Sequence, residues 1–189
     1  GNPNGSGISS SYIANIVDFL NRAANHGVYV ILTTDAWLPA QGGYWTAPQP
    51  SCQQFADPNN PTSPSTNMIN LCAAGVATAA QFFHDLAQAL VSQGLRLDAV
   101  FAYELRSEYY YDSNLPPLNW TSGSVTTADG QTYDMSSATS KQQMMDNGLV
   151  YFTNQVRAAI VAVDPTALVD VGFFWPQTPN PTRLGDPRV

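Results

Sequence analysis

The sequence predicts an α/β fold whose strands form a parallel sheet. Three observations support this prediction: stretches with helical spacing alternate with short apolar runs, the apolar runs lack polar alternation, and each helix-to-strand connection is only two or three residues long. Apolar runs without alternation are typical of strands buried on both faces, and a helix between successive strands makes those strands parallel. We therefore expect three helix–strand units.

Each expected unit consists of a helix followed by a strand. In the first unit, apolar residues at helical spacing predict a helix over residues 11–25, and the run VYVILTTD predicts a strand over residues 28–35. Serines before this helix can serve as N-caps, and Gly27 follows it as a helix stop. The same patterns predict helices over 74–94 and 137–164 and strands over 97–105 and 167–175.

Both strand-to-helix connections are long, and they cover residues 36–73 and 106–136. Such loops lie at the carboxyl ends of the strands, where α/β proteins carry their functional residues. The aromatic residues in these loops either line a cleft or pack the loops against the sheet. Taken together, these residues favour a cleft that binds a sugar, since the C–H face of a sugar stacks on aromatic rings. They are Trp37, Tyr44, Trp45, Tyr109, Tyr110, Tyr111 and Trp120.

Composition and charge argue against several classes of function. Fourteen acidic and seven basic residues give a net charge of −7, without the clustered Lys and Arg that a nucleic-acid partner requires. No apolar run approaches the roughly 20 residues of a membrane helix, so we expect no membrane partner. His26 and His84 are separated in the predicted fold and no glycine-rich phosphate loop is present, so we expect no metal and no cofactor. Few charges and many uncharged polar residues indicate a secreted or extracellular protein.

The two cysteines, Cys52 and Cys72, lie in or beside a loop rich in Pro, Asn and Ser. They either form a disulfide or remain two free thiols. Disulfides are common in secreted proteins, and a bridge across a loop of about 20 residues contributes roughly 3 kcal/mol. The sequence therefore predicts a Cys52–Cys72 disulfide.

The run AVFAYELRSEYYY, residues 99–111, resembles the fourth barrel strand of clan A glycoside hydrolases, the cellulase- and mannanase-like TIM barrels. In that family an apolar strand ends in Asn-Glu, and this Glu is the catalytic acid/base. The run FLNRAANHGVYVILTTDAWLP, residues 19–39, is similar to the second helix and third strand of the same barrels. The resemblance implies that residues 1–189 are a single domain, an incomplete segment of a (β/α)8 TIM barrel from about helix 2 to strand 5.

The resemblance also implies a function, which is the retaining hydrolysis of poly- or oligosaccharides. Glu108 matches the family's acid/base, whereas Ser107 stands where the family has the Asn that supports the substrate's 2-hydroxyl group. A whole barrel needs about 250 residues, and the family's nucleophilic Glu would lie beyond Val189. We therefore expect the 189-residue chain alone to be inactive, with the rest of the barrel coming from another segment or chain. The alternative is a non-catalytic carbohydrate-binding or scaffold protein derived from such a barrel.

The acidic residues near the predicted site have competing uses. Glu108 is either the acid or the partner of Arg106 in a salt bridge at the rim of the sheet. Glu104 lies on the same side of its strand as Arg106, which favours a buried pair between these two. Asp35 ends a strand, where it either binds a sugar hydroxyl or caps the following loop. The other predicted substrate-binding residues are Ser107, Trp37, Trp45, Tyr109 and Trp175.

Overall fold

Helices and strands alternate along the chain in the computed structural model, which describes residues 7–34, 43–45, 50–61 and 63–173. The helices are α1 (Ser10–Asn25), α2 (Thr66–Leu71), α3 (Ala73–Ser92) and α4 (Ala138–Val161), with 3₁₀ helices at Pro50–Phe55 and Leu97–Ala99. The strands are β1 (Val30–Thr33), β2 (Val100–Glu104), β3 (Ser124–Thr126), β4 (Thr132–Asp134) and β5 (Val169–Asp170). The predicted helices are confirmed as α1, α3 and α4, and the predicted strands as the shorter β1, β2 and β5.

A parallel sheet in the order β1–β2–β5 forms the centre of the fold. Thr33 pairs with Glu104, and Glu104 pairs with Asp170, so the three strands end side by side. The prediction of an α/β fold with a parallel sheet is confirmed. Within the described residues this sheet has three strands and is not closed into a barrel. The central strand is β2, and its carboxyl end is therefore flanked by a neighbour on each side.

The helices cover one face of this sheet. Leu32, Tyr103 and Val169 lie side by side in register, and all three belong to the hydrophobic core that α1, α3 and α4 complete. The opposite face carries Ile31, which is 48% exposed, and Thr33, which is also exposed. The expectation that the strands are buried on both faces is therefore wrong for the described part of the chain. The described helices pack against only one face, and the open face ends in the polar residues Thr33, Glu104 and Asp170.

The two long connections contain short elements that the sequence pattern did not predict. The first holds α2 and is closed by the predicted Cys52–Cys72 disulfide, which is confirmed with a Cα–Cα distance of 5.6 Å. The second holds the antiparallel hairpin of β3 and β4. Asn67 on α2 joins the two connections, because its Nδ2 donates to the carbonyl oxygens of Asp112 and Pro116 at 2.9 and 3.1 Å. The Oδ1 atom of Asn67 accepts a hydrogen bond from the Asp112 N–H at 3.0 Å.

The disulfide is expected to make a measurable contribution to stability. Replacing both Cys52 and Cys72 by Ala should lower the free energy of unfolding by about 3 kcal/mol, because the bridge restricts the unfolded chain across about 20 residues. Urea unfolding with and without a reductant measures this effect. Reductant should bring the wild-type protein close to the double variant and leave the double variant unchanged. A wild-type unfolding midpoint that does not respond to reductant would contradict the prediction.

Candidate functional site

The segment that follows β2 forms an irregular bulge at the carboxyl edge of the sheet. Glu104 pairs with Asp170, and the next described pairing toward the carboxyl end of this edge is the bridge between Tyr109 and Phe173. The segment after β2 therefore contains two residues more than the segment after β5 that it faces. A bulge of this kind interrupts a ladder locally and redirects side chains, and bulges are frequent beside active sites.

Glu108 lies inside this bulge in a left-handed backbone conformation, with φ of 59°. A residue with a Cβ atom is roughly 1–2 kcal/mol less stable in that region than in the right-handed one. Ser107 and Glu108 are both exposed, whereas Arg106 and Tyr109 on either side of them are buried. The buried flanking residues hold the bulge in place, and the Glu108 side chain is presented at the surface.

Hydrogen bonds on both sides fix the backbone of the bulge. The N–H of Gly172 donates to the Arg106 carbonyl at 3.1 Å, and the Gly172 carbonyl accepts from the Tyr109 N–H at 2.6 Å. On the side of β1, the Ser107 N–H donates to the Thr34 carbonyl at 3.0 Å. The position of Glu108 is thus set by main-chain bonds to two neighbouring segments rather than by a loose loop.

Arg106 is only 5% exposed and directs its side chain toward α2 and the tyrosines. Its Nη1 donates to Thr66 Oγ1 at 2.6 Å, and its guanidinium carbon lies 4.6 Å from the ring centre of Tyr110 and 5.8 Å from that of Tyr109. The ion pairs between described residues join Arg22 to Asp18, His84 to Asp85 and Arg96 to Asp98. Neither the expected Glu104–Arg106 pair nor the alternative Glu108–Arg106 pair is among them.

Glu104 lies instead beside the carboxyl end of β5. Its Oε1 contacts Gly172 so closely that a Cβ atom at position 172 would collide with it. Because Glu104 and Asp170 are partners in register, their side chains share one face of the sheet. Burial raises the pKa of Asp170 above its ordinary value of 3.8, and the neighbouring charge of Glu104 raises it further. The open face of the sheet therefore ends in two carboxyl groups that repel each other when both are ionised.

The three consecutive tyrosines after Glu108 do not share one environment. Tyr109 is 0% exposed and its hydroxyl donates to the Tyr111 hydroxyl at 3.1 Å, which in turn donates to the Met145 carbonyl at 3.1 Å. Burial raises the pKa of both Tyr109 and Tyr111 above the ordinary value of 10.0. Tyr109, expected to bind substrate, thus packs inside the core. Tyr110 is half-buried, and strand alternation was the signal that could have distinguished it from its neighbours.

The remaining predicted site residues are only partly described. Trp45 is half-buried against the core, and its buried Nε1 has no hydrogen-bond partner among the described residues. The hydroxyl group of the adjacent Tyr44 donates to Asp85 Oδ2 on α3 at 2.9 Å. Burial is the larger cause that raises the pKa of Tyr44, and the Asp85 carboxylate raises it further. Asp35, Trp37 and Trp175 lie outside the described residues. Whether the predicted rings line one cleft therefore stays a prediction.

The described part of the chain shows two further features relevant to the site. In this part of the chain, no group of three or more His, Cys, Asp or Glu residues is placed to hold a metal ion. None of its helices is long and apolar enough to cross a membrane.

The fold and the site define an α/β protein with carboxylates at the carboxyl edge of a parallel sheet. No match to this chain was found among protein-family models, among curated proteins or among solved structures.

The left-handed conformation of Glu108 predicts an unusual order of stabilities. The Glu108→Gly variant should be about 1 kcal/mol more stable than Glu108→Ala, because only glycine adopts this conformation without a Cβ penalty. Urea unfolding of both variants measures the difference. Ser107→Gly and Ser107→Ala are matched controls at a neighbouring exposed position without positive φ, and there the alanine variant should be at least as stable. The same order at both positions would contradict the assignment.

The neighbouring carboxyl groups predict a pH-dependent stability. A raised pKa in the folded state means that protonated Asp170 favours the fold, so its contribution is complete below 3.8 and is lost as pH rises through the folded pKa. Asp170→Asn should therefore raise the melting temperature at pH 7, and the gain should vanish in acid.

A double-mutant cycle separates this repulsion from the general effect of lowering net negative charge. Asp170→Asn and Glu104→Gln each remove the same repulsion, so the double variant should gain less than the two single gains added together. Calorimetric melting temperatures at neutral and acidic pH supply the data. Strict additivity would show that the two carboxyl groups do not interact.

Proposed function

We propose that this protein forms part of a retaining glycoside hydrolase that acts on poly- or oligosaccharides, with Glu108 as the acid/base. The observation that carries the proposal is the position of Glu108 just after the carboxyl end of the central strand. Its backbone φ is 59°, and its side chain is exposed. Strained conformations of this kind cluster at active sites, and the carboxyl ends of parallel strands are where α/β enzymes place their catalytic residues. The resemblance of residues 99–111 to the strand of clan A enzymes that carries the acid/base supports the same assignment.

The proposed reaction needs Glu108 in two protonation states. As an acid it protonates the leaving glycosidic oxygen while a second carboxylate attacks the sugar carbon from the opposite face. As a base it then takes a proton from the water that releases the sugar from this covalent intermediate. The two carboxyl groups of a retaining enzyme are about 5–5.5 Å apart. We propose that the nucleophile comes from outside this chain, and that no cofactor takes part.

We also propose that the three-stranded sheet is a segment of a (β/α)8 barrel. The helices cover one face of the sheet, as they do in such barrels, and the face with Ile31, Glu104 and Asp170 would then turn toward the barrel interior. The rest of the barrel would be the partner of this chain. The Cys52–Cys72 disulfide is consistent with an oxidising compartment and supports secretion.

The competing proposal is a non-catalytic carbohydrate-binding or scaffold protein, and one observation favours it. Ser107 stands where the resembling enzymes have an Asn that supports the substrate and its neighbouring carboxylates. Serine is shorter and offers one hydroxyl group in place of an amide, so it cannot make the same set of hydrogen bonds. Measurements of turnover distinguish the two proposals, because both expect sugar binding and only one expects hydrolysis.

The acid role of Glu108 predicts a dependence on the leaving group. In the protein combined with its nucleophile-bearing segment, Glu108→Gln should slow the turnover of unactivated oligosaccharides by about 100-fold or more. Activated aryl glycosides should lose less in the first step, since their leaving groups need little protonation. Glu104→Gln is the matched control and should show no such dependence on the leaving group. Equal losses of Glu108→Gln on both types of substrate would remove Glu108 from the acid role.

The 189-residue chain itself provides the test for the position of the nucleophile. Incubated alone with aryl glycosides and oligosaccharides, it should show no hydrolysis. Turnover by the purified chain would mean that the nucleophile lies within these residues. A loss of that turnover in Asp170→Asn but not in Glu104→Gln would then place the nucleophile at Asp170.

A further inference from the structure

The side chain of Tyr110 differs from those of both neighbouring tyrosines in its surroundings. Tyr109 and Tyr111 are buried and connected by their hydroxyl groups, whereas Tyr110 remains half-exposed. Alternation along an extended segment places consecutive side chains on opposite sides, so Tyr110 projects away from the core that receives its neighbours. It follows Glu108 by two positions and is the accessible ring of the three.

Two contacts hold Tyr110 in place. Its carbonyl oxygen accepts a hydrogen bond from Thr66 Oγ1 at 3.0 Å, which fixes its backbone to α2. The guanidinium carbon of Arg106 lies 4.6 Å from the centre of its ring. Arg106 is itself bonded to the same Thr66 hydroxyl, at 2.6 Å. The ring is therefore ordered before any ligand arrives, and a ligand that stacks on it loses little conformational entropy of the protein.

A half-exposed ring beside a polar bulge matches the surface of a pyranose sugar. The apolar C–H face of a sugar stacks on an aromatic ring, while its hydroxyl groups need polar partners at the edge. Ser107 and Glu108 are both exposed and precede Tyr110 by three and two positions in the chain, and they offer a hydroxyl and a carboxylate. A flat apolar ligand would use the ring alone and leave these two polar groups unused, so a sugar fits the arrangement better.

We infer that Tyr110 is the aromatic platform on which a sugar unit stacks beside Glu108, with Arg106 and Thr66 as the residues that position the ring. This inference rests on the proposed function and deepens it. It assigns the binding role to Tyr110 in place of the buried Tyr109. It also separates sugar binding, which Tyr110 carries, from proton transfer, which Glu108 carries.

The test is calorimetric titration of the 189-residue chain with short β-1,4-linked glucose and mannose oligosaccharides. Tyr110→Ala should weaken binding about tenfold or more, since it removes both the ring face on which the sugar stacks and the apolar surface that the sugar covers. Tyr110→Phe keeps the ring and should bind within about twofold of wild type on the same argument. Tyr12→Ala removes a 65% exposed tyrosine from α1 and is the matched control. Melting curves identify any variant that fails to fold, and Tyr110→Phe still tests the stacking role in that case.

The outcomes distinguish a failure of this inference from a failure of the proposed function on which it rests. If wild type binds a sugar and a folded Tyr110→Ala binds equally well, the platform is wrong and the proposed function stands. If Tyr110→Phe loses as much affinity as Tyr110→Ala, the hydroxyl group rather than the ring face carries the binding, and the platform is again wrong. If neither wild type nor Tyr12→Ala binds any of the oligosaccharides, the proposed carbohydrate function itself fails.

Discussion

The buried guanidinium group of Arg106 is the interaction on which the geometry of the site depends. A charge withdrawn from water is costly unless hydrogen bonds and polarisable neighbours surround it. Thr66 and the rings of Tyr109 and Tyr110 supply part of that environment, so one side chain joins the end of β2, helix α2 and the aromatic segment. Because Arg106 precedes the bulge and the buried Tyr109 follows it, both ends of the bulge are anchored and Glu108 is held at the surface.

This arrangement requires that α2 be as rigid as the sheet, although it lies within a long connection. All six residues of Thr66–Leu71 are buried, and Ser65 caps the helix by accepting the Met68 N–H with its hydroxyl at 3.0 Å. The disulfide ends at Cys72, directly after α2, and Gly75 lets α3 approach α2 so closely that a Cβ atom would collide with the backbone of Met68. Helix α2 is thus closely packed against its described neighbours, and Thr66 holds the Arg106 guanidinium from a fixed position.

The main helices and the parallel direction of the strands could be predicted because their signals are local. Apolar residues at helical spacing specified α1, α3 and α4, and the short connections implied parallel strands. The conformation of Glu108 could not be predicted, since a left-handed residue is normally signalled by glycine and here is imposed by bonds to Gly172 and Thr34. The bulge also changed the expected directions of Arg106 and Tyr109. Helix α2 was missed because two of its polar residues, Thr66 and Asn67, find hydrogen-bond partners in a segment more than 40 residues away.

Two features of the carboxyl edge reduce stability, and their coincidence is itself informative. Glu108 has a backbone conformation that glycine would adopt more easily, and Glu104 and Asp170 are like charges on adjacent strands. By contrast, Asp129 accepts hydrogen bonds from Thr127 and Tyr133 that outweigh burial and lower its pKa. Local conflicts of this kind persist in proteins mainly where function requires them. Both conflicts lie where the strands end, and each involves a carboxyl group, which is consistent with the acid role proposed for Glu108.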